Sequence, residues 1–379
     1  MARAYLDHGS ASALRPAAKE AMIRWLDSAD PGRVHTEGHM ARAALEEARE
    51  QVAAFLGTRG RQVVFTSGAT EAINAAVFGA VARWSESGKE RPRIALAGVE
   101  HSAVREASER QAEIRLLPVD RAGMIDPHGV TEAIAERPTT LVHCQLANHE
   151  IGTIQKVKEV AEVCRESAVL LHVDAAAGAG SVRIGFDQLG ADFLSVSAAK
   201  LGGPRGCGVL LIRRGLRVPP FIAGGMQERA RRGGLENVAA AAGFGAAAAE
   251  LASTLEREAE SARRLMQQLR DVALCIDGVE AFGPRDERDR LPGLLCVGLD
   301  RVEAEPVLVG LDRAGVAAHS GSSCSSESLE PSPVLEAIGA DADHSLRFTA
   351  GWSTTEEDVR MACEALPAVV ARLRAMAPG

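Results

Sequence analysis

The sequence has 379 residues, of which 46% are hydrophobic, 25% charged and 3% aromatic. This is the composition of an ordinary soluble globular protein, and a prior of about 150 residues per domain predicts two or three folded units. The net charge of −8 disfavours direct electrostatic binding to nucleic acid or to anionic lipid, so neither is expected as a partner.

Helical and strand patterns alternate from about residue 40 to residue 250. They are an amphipathic helix at 40–56, a strand at 62–66, a helix at 69–84, a strand at 93–97, and strands near 114, 140, 169, 193 and 208. Such alternation predicts an α/β fold with a mostly parallel sheet, and several strands are apolar runs, as expected when helices cover both faces. Functional side chains are then expected at the strand ends.

A long helical stretch from Glu236 to about Leu274 is interpreted as a connector to a smaller α/β unit. We predict a large domain of residues 16–255 and a small domain of residues 1–15 and 256–379. The small unit is predicted to hold strands near 293–298 and 345–349 and helices near 302–314, 332–338 and 355–376.

No membrane contact is predicted, because the longest apolar run, 238–249, is too short and too weakly hydrophobic to span a bilayer. The amino-terminal stretch lacks the apolar core of a signal peptide. Seven cysteines without paired close spacing argue against a disulfide framework or a zinc finger. A reducing, cytoplasmic location is therefore expected.

A lone lysine, Lys200, follows one predicted strand and stands between Ala198, Ala199 and Leu201. Apolar shielding favours the nucleophilic, unprotonated amine, which is the group that bonds to the aldehyde of pyridoxal phosphate. An ordinary surface lysine is the alternative. The glycines of 202–208 lead into a strand and not a helix, so they predict a tight turn rather than a nucleotide-binding loop.

The segment FTSGAT predicts an anion site where the strand 62–66 turns through Ser67 and Gly68 into a helix beginning near Ala69 and Thr70. Free backbone N–H groups and the positive end of the helix dipole favour a phosphate there, and the Thr70 hydroxyl adds a donor. Simple capping of the helix by Ser67 is the alternative interpretation.

Two further strands end on titratable residues. Asp174 closes an apolar strand, where a buried carboxylate requires a cation such as the protonated pyridine nitrogen of the same cofactor. A metal pair of His172 and Asp174 is the weaker alternative, since no third ligand is evident. His101 follows another strand and is a candidate for stacking on the ring or moving a proton, with a structural histidine as the alternative.

The carboxyl-terminal part contributes Cys324, which lies among glycines and serines in HSGSSCSSESLEPS and is therefore predicted to be an exposed, mobile nucleophile. Arg347 lies on a predicted strand and is a candidate to bind a substrate carboxylate, or else forms a salt bridge. The basic segment at 228–234 is interpreted as a solvated loop or an anion-binding loop.

Together these segments resemble the cysteine desulfurases, pyridoxal phosphate enzymes of the class V aminotransferase family with the three-layer fold type I. The similarity runs nearly end to end, and Cys324 lies in a segment that looks like the long-loop group. The segments, in the family's order, are YLDHGSAS, FTSGATEAIN, VEHSAV, ANHEIGTIQ, HVDAA, SxxK, GGMQERARRGGLEN, GSSCSSESLEPS and RFTAG.

The resemblance implies that Lys200 holds the cofactor covalently, that Asp174 partners its pyridine nitrogen and that His101 stacks on its ring. The remaining cofactor contacts that it implies are Ala69, Thr70, Ser197 and His149.

For the reaction, the resemblance implies that Arg347 and Asn148 contact L-cysteine and that Lys200 moves the α-proton. The Cys324 thiolate attacks the substrate sulfur, alanine leaves, and a persulfide remains for sulfur-acceptor proteins. The family also implies a homodimer in which the 224–235 loop serves the neighbouring site.

The sequence departs from the family pattern at four positions. Ala199 stands where the family has histidine, Leu235 where it has threonine, Ala177 where it has glutamine, and His149 where it has asparagine. Each lost charge-assisted hydrogen bond is worth roughly 1.5–3 kcal/mol, so looser cofactor binding than the family norm is expected. A specialised branch that supplies sulfur for DNA phosphorothioation is one candidate pathway, with iron–sulfur or thiolation pathways as others.

Two rival interpretations stay open. One is another enzyme of the same fold, such as a selenocysteine lyase, kynureninase or aminotransferase. The other is a non-catalytic sulfur-transfer scaffold, against which the presence of Lys200, Asp174 and Cys324 argues.

Overall fold

The computed structural model describes residues 3–86, 88, 91–321 and 332–376. The strands are β1 Ala4–Tyr5, β2 Val63–Thr66, β3 Arg93–Ala97, β4 Glu113–Leu117, β5 Leu141–His143, β6 Leu170–Asp174, β7 Phe193–Ser197, β8 Gly208–Ile212, β9 Val279–Ala281, β10 Leu294–Leu299, β11 Val316–Ala317, β12 His319–Ser320 and β13 Ser345–Thr349. The α-helices are α1 Pro16–Trp25, α2 Thr36–Phe55, α3 Ala69–Glu86, α4 Ser102–Glu109, α5 Pro127–Glu136, α6 Val157–Glu166, α7 Phe186–Leu189, α8 Gln227–Ala230, α9 Val238–Leu274, α10 Ala304–Arg313, α11 Pro333–Ile338 and α12 Glu356–Met376.

The main sheet has seven strands in the order β2-β8-β7-β6-β5-β3-β4, and only β8 is antiparallel to its neighbours. The predicted α/β fold with a mostly parallel sheet is confirmed. The glycine-rich segment after Lys200 does reverse the strand direction between β7 and β8. Gly202 and Gly206 adopt φ values of +81° and +73°, which non-glycine residues rarely adopt.

The parallel strands β3, β5, β6 and β7 end at one edge of this sheet, because parallel neighbours share their direction. In register, Asp174 at the end of β6 pairs with Ser195 of β7. The sheet is apolar and buried between helices, and this burial leaves only the strand ends free to carry polar chemistry.

A second core forms around an antiparallel sheet in the order β12-β13-β10-β9, with β1 and β11 paired in parallel beside it. Helix α9 joins the two cores: Leu251 and Leu255 pack in the first, and Leu265 and Leu269 in the second. Among the described helices, only α9 is long and apolar enough to cross a membrane. However, 61% of its apolar 18-residue stretch is buried inside the protein.

The structure also corrects element bounds. Helix α2 begins at Thr36 and not at residue 40, because the His35 side chain caps its first turn by accepting from the Gly38 N–H. Helix α1 begins at Pro16, which fits the first turn because proline lacks the N–H that a helix start leaves unbonded. The short strands β1, β9, β11 and β12 were not predicted individually, since two or three residues show no periodicity.

The segment after Met226 folds back on the large core through a buried ion pair. Within α8, Glu228, Arg229 and Ala230 adopt left-handed conformations with φ of 45°, 58° and 59°, so this short segment is not a regular right-handed helix. Such conformations are unfavourable for residues with a Cβ. The Glu228 carboxylate compensates by accepting two hydrogen bonds from Arg49, at 2.6 and 2.7 Å, and one from the Phe65 N–H at 2.9 Å.

We expect Glu228→Gln to lower the free energy of unfolding by about 3–5 kcal/mol, because it leaves the Arg49 guanidinium, whose side chain is 2% exposed, without its buried counter-ion. Glu46→Gln is the matched control, since Glu46 also pairs with Arg49, at 3.1 Å, but is 43% exposed. Its effect should be under about 1 kcal/mol. Urea denaturation of both variants measures the difference, and equal effects would contradict the assignment.

Candidate functional site

A cavity of about 300 Å³ opens at the edge of the main sheet where the parallel strands end. It gathers most of the side chains that the sequence singled out, from both halves of the chain. Its lining includes Gly9, Ser10, Gly68, Ala69, Thr70, His101, Gln145, His149, Asp174, Ala177, Ser197, Lys200 and Arg347.

Lys200 lies in a 3₁₀ turn, Ala198–Leu201, directly after β7. Its Nζ donates to the carbonyl oxygen of Ser10 at 2.7 Å and also to that of Gly9. The side chain is partly buried, and the turn is pinned by the Ser12 N–H, which donates to Ala199 O at 2.9 Å. Two backbone carbonyls therefore hold this amine at the cavity wall.

The turn through Ser67 and Gly68 delivers the first turn of α3 to the cavity. The backbone of Gly68 packs so closely on Gly208 that a Cβ at Gly208 would lie 2.7 Å from Gly68 Cα. Within α3 the first backbone hydrogen bond runs from the Ala72 N–H to Gly68 O, at 3.2 Å. The preceding N–H groups face the open end of the helix, where an anion is favoured.

Ser67 does not act as the predicted alternative cap of α3. Its backbone N–H instead donates to Glu71 Oε2 at 2.8 Å, and Arg232 of the basic segment pairs with the same carboxylate at 3.0 Å. Burial raises the pKa of the Glu71 carboxyl, whereas the hydrogen bonds from Arg232 and Ser67 lower it. The net effect is a lowered pKa. The basic segment at 228–234 makes further contacts with the large core: Arg229 pairs with Glu46, and Arg231 donates to the carbonyl of Arg61.

Asp174 is 7% exposed at the end of β6 and lines the cavity. Its Oδ1 accepts hydrogen bonds from Ser195 Oγ and from the Ala176 N–H, both at 3.0 Å. His172 does lie on the same face as Asp174, since both contact Ser195. The metal alternative gains no support, because the described residues contain no group of three or more candidate ligands.

His101 caps helix α4, accepting from the Ala103 N–H through Nδ1 at 3.0 Å. Because Nδ1 accepts in this contact, a neutral His101 ring carries its hydrogen on Nε2. His149 packs edge-on against His101, with ring centroids 5.0 Å apart and an interplanar angle of 62°. His149 also lies 3.4 Å from the buried carboxylate of Glu150.

Arg347 is buried on β13, lines the cavity and forms the salt bridge that was its alternative interpretation. Its Nη2 lies 2.9 Å from Asp7 Oδ1, and its Nη1 donates to His149 O at 3.0 Å. Asn148 lies behind the cavity wall. Its Nδ2 donates to Val99 O at 3.0 Å and its Oδ1 accepts from the Glu150 N–H at 2.9 Å, so its predicted substrate contact stays a prediction.

Sequence reasoning missed several residues of the site. Gln145, at the end of β5, lines the cavity and braces it by donating from Nε2 to Val99 O at 3.0 Å. Its place after an apolar strand was the signal that identified Asp174, so the same rule would have found it. Ser10 and Gly9 gave no such signal, because they arrive from the amino terminus.

Other predicted features lie away from this cavity or outside the described residues. Cys324 falls in 322–331, outside the described residues. Leu235 is 64% exposed and lines a separate hollow beside the 224–235 loop. Ala177 lines the cavity with only a methyl group, and Ala199 is not among the lining residues.

These residues fit pyridoxal phosphate by the chemistry of their groups. One cavity brings together an amine for the aldehyde of the cofactor and a buried carboxylate for its pyridinium nitrogen. The same cavity has an imidazole for the aromatic ring and the open end of a helix for the phosphate. The match does not depend on the departures at Ala177 and Ala199.

Comparisons with known proteins agree with this chemistry. The family model for aminotransferase class-V matches residues 4–361. A protein of Dictyoglomus turgidum described as cysteine desulfurase IscS is 38% identical, and the alignment covers 99% of this chain and 96% of the relative. A similar match, 38% identical over 99% and 98% of the two chains, is the protein of Archaeoglobus fulgidus described as cysteine desulfurase IscS 1.

A solved NifS-like protein has a TM-score of 0.89 and 28% identity, with 98% of this chain and all of that chain covered. The full-length similarities, together with the sheet and the cavity, show that the chain belongs to the class-V aminotransferase family and, within it, to the cysteine desulfurases.

Proposed function

We propose how the cysteine desulfurase reaction is divided among the residues of this chain. The observation that carries the proposal is that Lys200, Asp174 and His101 face one cavity beside the first turn of α3. A solved structure described as SspA in complex with cysteine, 27% identical with a TM-score of 0.78 over 91% of this chain, supports L-cysteine as the substrate.

The cofactor supplies an electron-withdrawing ring that stabilises negative charge at the substrate α-carbon. Asp174 would partner the ring nitrogen, and His101 would stack on the ring. Lys200 would hold the cofactor covalently, and its amine would move the α-proton of the substrate. Phosphate is held by Ala69, Thr70 and Ser197, with His149 beside the ring.

The substrate carboxylate is bound by Arg347. Because this guanidinium already pairs with Asp7 and with a backbone carbonyl, substrate binding requires it to share or exchange a partner. The neighbouring Ser10 Oγ, 3.2 Å from Nη2, is a neutral contact that such an exchange preserves.

Sulfur leaves through Cys324. Its thiolate attacks the substrate sulfur, a sulfur–sulfur bond forms, and the carbon–sulfur bond breaks with its electron pair staying on the three-carbon fragment. Protonation of that fragment yields L-alanine, and the outer sulfur of the persulfide passes to acceptor proteins.

The test is to supply the purified protein with pyridoxal phosphate, L-cysteine and a reductant, and to measure alanine and sulfide. Equal amounts of both products are expected. If the protein binds the cofactor but forms neither product, the non-catalytic scaffold is favoured and the proposal fails.

Cofactor retention tests the departures at Ala199, Ala177 and Leu235. We expect the bound cofactor to be lost progressively on prolonged dialysis, because hydrogen-bond donors of the family pattern are missing. Visible absorbance before and after dialysis measures occupancy. Undiminished occupancy would contradict weak binding.

We also propose that the protein is a homodimer whose interface includes Val34, Met226 and Leu235, which are 89%, 81% and 64% exposed. Large apolar side chains of this exposure are typical of interaction surfaces. Light scattering at twice the monomer mass is expected, and a monomer would contradict it.

The division into a domain of residues 16–255 and one of residues 1–15 and 256–379 stays a proposal. The second core lies wholly within the proposed small domain, but the first core also includes Leu294 and Leu335 of that domain. The cytoplasmic location, the acceptor proteins and the supply of sulfur for DNA phosphorothioation stay predictions.

A further inference from the structure

A row of buried polar side chains runs from the cavity into the core. Asp174 Oδ1 lies 3.0 Å from Ser195 Oγ, which lies 3.2 Å from His172 Nε2. His172 Nδ1 lies 2.8 Å from His143 Nδ1, and His143 Nε2 lies 3.2 Å from Ser108 Oγ. All five residues are at most 7% exposed. We refer to Ser108, His143, His172 and Ser195 as the histidine–serine network.

The network crosses three adjacent strands and ends on a helix. Ser195 lies on β7, His172 on β6, His143 on β5 and Ser108 on α4. The first turn of α4 is capped by His101, the proposed ring-stacking residue. The network therefore connects the elements that carry two of the proposed cofactor contacts.

The number of hydrogens fixes the direction of each hydrogen bond. An ionised Asp174 only accepts, so the single Ser195 hydroxyl hydrogen points to it, and Ser195 Oγ accepts from His172 Nε2–H. A neutral His172 then has a bare Nδ1, which accepts from His143 Nδ1–H. His143 Nε2 then accepts from the Ser108 hydroxyl, which in this arrangement gives up its 2.7 Å hydrogen bond to the Val104 carbonyl.

The opposite direction requires one more proton. In that arrangement Ser108 donates to the Val104 carbonyl, 2.7 Å away, and each following hydrogen bond reverses. Ser195 then donates to His172 and has no hydrogen left for Asp174, which must itself be protonated to keep the contact. The ring tautomers thus report the ionisation state of Asp174.

Burial favours the neutral form of both imidazoles. Burial lowers the pKa of His172 to about 4, although the neighbouring Asp174 carboxylate opposes that shift. Burial, followed by the proximity of His172, lowers the pKa of His143 well below its ordinary value. Each ring accordingly carries one hydrogen, as the count requires.

We propose that His172 and His143 are positioning residues that keep Asp174 ionised and directed into the cavity, with hydrogens donated in sequence from Ser108 to the carboxylate. This inference rests on the proposed role of Asp174 as partner of the cofactor's ring nitrogen. Neither histidine touches the cavity, so both act through Asp174.

The first test uses the apoprotein labelled with ¹⁵N-histidine, since ¹⁵N chemical shifts separate protonated from bare ring nitrogens. At pH 7 we expect His172 protonated at Nε2 alone and His143 at Nδ1 alone. The variants His172→Gln and His143→Asn assign the signals. The opposite tautomers, or a charged ring, would overturn the proposal.

The second test removes one link. Ser195→Ala deprives His172 Nε2–H of its acceptor, and we expect the His172 signals to change from one tautomer to a mixture. Ser12→Ala is the matched control, because Ser12 is also buried and lies 2.9 Å from a histidine nitrogen, that of His8, outside the network. Unchanged His172 signals in Ser195→Ala would overturn the proposal.

The third test uses the holoenzyme of the same two variants. Without the Ser195 donor, the Asp174 carboxylate loses a hydrogen bond and the ring nitrogen beside it becomes less positive. The pH at which the cofactor's visible band titrates should rise by about one unit in Ser195→Ala and stay unchanged in Ser12→Ala. An unshifted titration in Ser195→Ala would overturn the proposal.

The tautomers are measured without cofactor or substrate. If they are as expected but the wild-type protein releases no alanine, the proposed function fails and the network stands. If alanine is released but the tautomers are reversed, the network fails alone.

Discussion

Lys200→Ala is expected to reduce alanine formation from L-cysteine by at least about 10⁴-fold, because one amine both bonds to the cofactor and moves the α-proton. Folding should be little affected, since the Nζ contacts two backbone carbonyls at the edge of the cavity and not the core. Alanine release at saturating pyridoxal phosphate measures the loss.

Lys158→Ala is the control for this variant, because Lys158 is exposed on α6 and should leave the rate unchanged. Borohydride treatment of the wild-type holoenzyme, followed by peptide mass mapping, should place the cofactor on residue 200. A label elsewhere, or an active Lys200→Ala protein, would remove the basis of the proposed mechanism.

Cys324→Ala is expected to lower sulfur transfer from L-cysteine by at least about 10³-fold while leaving the cofactor's absorption spectrum intact. The thiol accepts sulfur but takes no part in the proposed cofactor contacts. Persulfide labelling after incubation with L-cysteine, together with sulfide release, measures the change.

Four of the described cysteines are buried, and their burial is the reason that they should not substitute for Cys324. Burial raises the pKa of Cys164 and of Cys207 to about 12, and it raises the pKa of Cys144 and Cys296 as well. These thiols are therefore poor nucleophiles at neutral pH. Cys275 is exposed, at the end of α9.

Cys275→Ala is the matched control because it removes an exposed thiol outside the cavity, and sulfur transfer should be unchanged. Full activity of Cys324→Ala would favour a lyase that needs no protein thiol.

The main sheet was predictable because most of its strands are apolar runs bounded by turn residues. The predicted strand at 93–97 coincides with β3, and those near 169 and 193 begin β6 and β7. The side chains at those strand ends meet at one cavity, as parallel strands require. Sequence position alone thus placed Lys200 and Asp174 at this cavity, and their roles there stay predictions.

Partners that are distant in sequence were not predictable. Arg347 and Asp7 are 340 residues apart, and nothing in either segment indicates that they pair. The contact between His143 and His172 depends on β5 and β6 being neighbours in the sheet, which the order along the chain does not specify. Contacts of this kind are set by tertiary topology and not by local pattern.

The amino-terminal segment contacts both the lysine and the arginine of the cavity. Gly9 and Ser10 accept from Lys200, while Asp7 pairs with Arg347 near the carboxyl terminus. During synthesis the ribosome releases these partners in sequence, and the pocket is complete only after residue 347 has emerged. Cofactor can accordingly be loaded at a fully formed pocket only after residue 347 has been synthesised.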